Sequence, residues 1–95
     1  MSYPKIREAA RWIAYDSGMI NRFFSEERVV TIMMQAAVNK FNGDQLDCAE
    51  LELAALTEEQ FADFCTGEYD ATRLRSIACI VLDWMFETGY DDGPH

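Results

Sequence analysis

The chain has 95 residues, 49% of them hydrophobic, with seventeen acids against eight bases and a formal net charge of −9. That apolar content excludes an acidic disordered tail, and a chain this short, burying only roughly 60–65% of its unfolded surface, is expected to form one core. The longest apolar run, Ile77 to Leu82, is far short of the ~20 residues of a membrane span, and no apolar signal segment follows Met1-Ser2-Tyr3-Pro4-Lys5. A cytoplasmic protein is the expectation. Its acidity argues against direct binding to nucleic acid or an anionic membrane.

The first helix is predicted to begin near Pro4, with Ile6, Ala9, Ala10 and Ile13 at helical spacing and Gly18 as a left-handed stop. Trp12, Tyr15 and Met19 form a second apolar strip beside that face, predicting contacts on two sides. Ser25 is the predicted cap of the second helix, with Glu26 and Glu27 in its first turn. From Val29 to Val38 only Thr31 and Gln35 are polar. This helix is therefore predicted to be mostly buried and central, ending at Asn42-Gly43 with Lys40 in its last turn.

Residues 46–56 read two ways. Leu51 and Leu53 alternate as in a strand, whereas Leu46, Ala49, Leu53 and Leu56 keep helical spacing. Alanine and glutamate content favours a short helix. Thr57-Glu58-Glu59-Gln60 has the form of a capping box and predicts a helix carrying Phe61 and Phe64, closed by Gly67. Asp70 is the predicted cap of the last helix, whose core stripe is Leu74, Ile77, Ala78, Val81, Leu82 and Met85. Ile80 and Trp84 lie off that stripe, predicting a nearly surrounded helix. Gly89 is read as its end and 90–95 as a short tail. The fold class is all-α, a compact single-domain bundle of four to five helices over residues 1–95.

Chemistry-bearing motifs are scarce. Cys48, Cys65 and Cys79 have no metal-ligand spacing, and an odd cysteine count without a signal segment fits a reducing compartment. Cys79, inside Ile77 to Leu82, reads as a core residue. His95 is the only imidazole, so neither a Ser-His-acid nor a Cys-His arrangement is expected. Glu58/Glu59 and Asp91/Asp92 are adjacent and point apart on a helix, and Asn42 to Asp47 lacks the register of a calcium loop. The expectation is a protein without catalytic activity, cofactor or metal. The aromatics, among them Trp12, Phe41, Phe61, Phe64, Trp84 and Phe86, read mostly as core, with Phe23-Phe24 plugging a bundle end. Arg7 and Arg11 read as a solvated face.

Charge is where the sequence is informative. Residues 1–42 hold six bases (Lys5, Arg7, Arg11, Arg22, Arg28, Lys40) and four acids (Glu8, Asp16, Glu26, Glu27), a balance of +2. Residues 43–95 hold thirteen acids and only Arg73 and Arg75, a balance of −11. Between Asp44 and Asp70 stand Asp44, Asp47, Glu50, Glu52, Glu58, Glu59, Asp63, Glu68 and Asp70 with no base among them.

A solubilising face is the simplest account, but solubility does not require the bases to be missing, and mixed signs would be more stable. A basic partner would provide the counter-charge and speed association. The candidate partner-binding residues are these nine acids and Tyr69, whose ring beside carboxylates suits an interface. The expected function is a non-enzymatic inhibitor or decoy that mimics DNA on a basic nucleic-acid-binding protein. In size and charge, though by no motif, the chain is similar to small phage or mobile-element anti-defence proteins of the anti-CRISPR kind. The alternative is a helical adaptor or dimerising subunit (a homodimer) using an apolar patch of Trp12, Tyr15 and Met19, or of Phe23 and Phe24.

Overall fold

The computed structural model describes residues 3–65 and 76–92. Over these the chain forms five helices: α1 (Pro4–Asp16), α2 (Glu26–Lys40), α3 (Gly43–Ala54), α4 (Glu58–Cys65) and α5 (Ile77–Asp92), with no strand among the described residues. The ambiguous stretch is thus helix as far as Ala54, with Leu56 beyond its end. The expected roles of Gly67, Asp70 and Leu74 lie outside the described residues.

Local chemistry sets most helix ends. Gly18 has φ +80°, and the bonds Gly18 N–H to Tyr15 O (3.2 Å) and Ile20 N–H to Ala14 O (3.2 Å) seal the end of α1. Ser25 Oγ accepts the Arg28 N–H to start α2. Thr57 and Gln60 form the expected reciprocal box at α4, at 3.0 and 3.1 Å. Ser76 Oγ accepts the Cys79 N–H at the start of α5.

Two boundaries differ from expectation. Asn42-Gly43 does not close α2. Phe41 leaves that helix in extended conformation, and Asn42 caps α3 in a box with Gln45, so Gly43 is the first residue of α3. Asparagine suits the cap because its side-chain oxygen satisfies an otherwise orphaned N–H. Gly89 does not end α5, which runs on to Asp92. Gly89 is buried instead, and a Cβ there would lie 2.7 Å from Met19 Cε and 2.9 Å from Met33 Cγ. It is glycine because α5 passes that close to its neighbours.

One core cluster joins all five helices, built on Ile6, Ala9, Ala10, Ile13, Met33, Leu46, Leu53, Phe61, Phe64, Leu82 and Met85 among others. The Cα radius of gyration of the fold, 12.3 Å, is near the roughly 12 Å of a compact chain of this length. The central element is α5, packed on α1, α2 and α3, rather than α2, which leaves Thr31, Gln35 and Val38 exposed. Even α5 is not surrounded, since Ile80 and Trp84 face solvent. Trp84 lies against the end of α2, donating its indole N–H to Ala36 O at 3.3 Å beneath the Lys40 ammonium. Among the described residues no helix is long and apolar enough to cross a membrane.

Candidate partner-binding surfaces

The acidic block divides into two populations. Glu50 and Glu52 are two residues apart on α3, so their side chains leave it about 200° apart. Each reaches the start of another helix. The Glu50 carboxylate accepts the Lys5 N–H through both oxygens (3.0 and 2.9 Å) and the Ile6 N–H at 3.0 Å. Glu52 Oε2 accepts the Ala78 N–H at 3.0 Å. Both anions therefore neutralise orphan donors and the positive ends of α1 and α5. Although no base stands near them in the sequence, these two acids are thus compensated by backbone donors. The sequence holds a signal for Glu50: Tyr3, preceding Pro4, has no short side-chain acceptor and makes no side-chain cap bond, which leaves the first N–H groups of α1 open to an acceptor from elsewhere.

The second population shows no such cap among the described residues, although Glu52 too is exposed. Asp44, Glu58, Glu59 and Asp63 are exposed and Asp47 is half-buried. Asp44 lies in the first turn of α3, Glu58 and Glu59 in that of α4, where the helix dipole favours them. Glu59 and Asp63 are i and i+4, on the side of α4 opposite Phe61 and Phe64, and repel one another. Among the described residues no base lies within ion-pair distance of these five; the described ion pairs, Lys5–Glu8 and Arg11–Glu26, belong to the N-terminal half. Glu68, Tyr69 and Asp70 lie outside the described residues.

The aromatic candidates separate as well. Met19 is buried and Phe24 packs partly against the core, but Trp12, Tyr15 and Phe23 are 46%, 51% and 72% exposed. Reading Trp12 and Trp84 as core, and Phe23 as a plug of the bundle end, is therefore corrected: each carries a cation on its ring instead. Arg11 lies 5.8 Å from the Trp12 ring, Arg22 4.8 Å from Phe23 and Lys40 4.8 Å from Trp84. The Glu26 carboxylate also meets Tyr15, and accepting that hydroxyl's bond raises the phenol pKa above its ordinary value.

An open groove of about 510 Å³ lies between α3, α4 and the start of α5, lined by Leu53, Leu56, Phe64 and Ala78. Among the described residues its Glu52, Gln60 and Ser76 side chains are engaged in capping, at Ala78, Thr57 and Cys79 respectively. Cys79 is fully buried, as its sequence context predicts, and Cys65 is also buried, its thiol pKa pushed up to about 12 by burial and secondarily by Glu8. That keeps Cys65 a protonated, poor nucleophile. Cys48 is exposed. Compared with known protein families, curated proteins and solved structures, the chain matches none.

Proposed function

We propose that the protein is a non-catalytic inhibitor that lays its outward carboxylates on a Lys/Arg-lined nucleic-acid-binding surface of another protein, a DNA-mimicking decoy of the phage anti-defence, anti-CRISPR-like type. The observation carrying this reading is that Asp44, Asp47, Glu58, Glu59 and Asp63 stand on two consecutive helices with no described base in ion-pair reach. Duplex DNA presents a continuous line of negative charge, and carboxylates about one helical turn (~5.4 Å) apart offer a sparser array of the same sign to a basic channel. The engagement of the groove's polar groups in helix caps supports a binding role over a catalytic one.

Glu50 and Glu52 leave the mimicking set, because removing them would disturb α1 and α5. The test is therefore the fivefold variant Asp44→Asn, Asp47→Asn, Glu58→Gln, Glu59→Gln, Asp63→Asn. It is expected to keep its helicity and lose the inhibited partner. Wild-type binding is expected to weaken steeply with salt. Salt-insensitive binding, or full binding by the fivefold variant, would refute the mimic.

A further inference from the structure

We propose that the outward face of α1, with the loop that follows it, is a contact between two copies of this chain. Pro4, Glu8, Arg11, Trp12 and Tyr15 recur at i, i+4, i+7, i+8 and i+11, which places them on one stripe of the helix. All five are exposed. Glu26 joins this stripe to α2, bonding Arg11 at 3.5 Å and meeting Tyr15. Phe23 is presented by a built turn: Asn21 Oδ1 accepts the Phe23 N–H at 2.8 Å and the Phe24 N–H at 3.2 Å, and the Asn21 and Phe24 backbones bond each other. Stacked Arg–aromatic pairs make a flat, weakly hydrated surface, and Trp, Tyr and Arg dominate the energetics of protein interfaces.

Charge identifies the occupant. Residues 43–95 carry −11, so two copies repel each other through that half. The α1 face instead mixes Arg7 and Arg11 with Glu8, Glu26 and Glu27, and lies in the half whose balance is only +2. A mixed-sign patch complements itself across a two-fold axis, which a contact between identical surfaces requires. With the two α1 helices antiparallel about Arg11 and Trp12, the guanidinium of each copy moves over the other's Trp12 ring. The α3 and α4 carboxylates stay free, so this contact adds to the proposed function without resting on it.

Light scattering or sedimentation over a concentration series, at low and high salt, reads it directly. The mass is expected to rise from monomer to dimer, and the dimer to persist or tighten in salt as net repulsion is screened. Trp12→Glu should weaken dimerisation about tenfold or more with the circular dichroism unchanged. Tyr15→Lys is the second variant should Trp12→Glu lose helicity. A monomer under every condition, a dimer dissolved by salt, or a dimer indifferent to both substitutions would overturn the proposal.

Discussion

At the scale of single residues, the acids of this chain differ by what they face. Glu50 meets two backbone donors of α1 at about 3 Å, so its removal deprives two part-buried N–H groups of their side-chain acceptor. Glu50→Ala should cost about 1–2 kcal/mol in a urea titration and Glu50→Gln less, since one amide oxygen still accepts. Unchanged stability in Glu50→Ala would remove the cap from the account. Asp83 is the opposite case. Burial, and after it the charge of Glu87, raises its pKa above the ordinary aspartate value. The folded state then holds the proton more tightly than the unfolded chain. Stability falls as pH rises from the ordinary aspartate range through the raised value, and the cost is fully present at neutral pH. Asp83→Asn should therefore melt higher than the wild type at neutral pH, with the advantage shrinking as pH falls through the raised value and lost below the ordinary aspartate range. An advantage independent of pH would contradict it.

At the scale of helices, legibility tracked how local the determinant is. Ser25, Thr57 and Gly18 act within three or four residues of themselves, and their roles were readable. Asn42-Gly43 carries the signals of an end and of a start alike; the linker of only Phe41 and Asn42 makes it a start. Gly89 was misread because a stop and a close approach both call for glycine, and only the fold brings Met19 and Met33 there. The same limit hid the long-range caps of Glu50 and Glu52, which depend on partners 45 and 26 residues away. Gly89→Ala tests the close approach. The added methyl gains helix propensity of about 1 kcal/mol but forces Met33 aside, and overpacking of this kind costs about 1–3 kcal/mol. A net loss of about 1 kcal/mol is expected in denaturation, and it should shrink or reverse in a Met33→Ala background, where the space exists. A Gly89→Ala variant more stable than the wild type would show that the contact yields freely.

At the scale of the whole molecule, the sequence shows two halves of unlike charge, and the fold refines that division. The all-α class was legible because periodicity and caps agree along most of the chain. The candidate surface was legible only in part. Sequence spacing identifies every acid but cannot tell a carboxylate that caps another helix from one that does not, so Glu50 and Glu52 read the same as Glu59 and Asp63. What remains outward is a set of five acids on α3 and α4 and, on α1 and its loop, a mixed-sign aromatic face. Competition with duplex DNA tests the central claim most directly. The immobilised protein is loaded with nucleic-acid-binding proteins from a lysate of the cell in which it acts, then challenged with DNA at constant salt. Release of the retained proteins by DNA, and their absence from the fivefold Asp44, Asp47, Glu58, Glu59 and Asp63 variant, is the predicted result. Retention that DNA does not disturb, or that survives neutralisation of those five carboxylates, would contradict it.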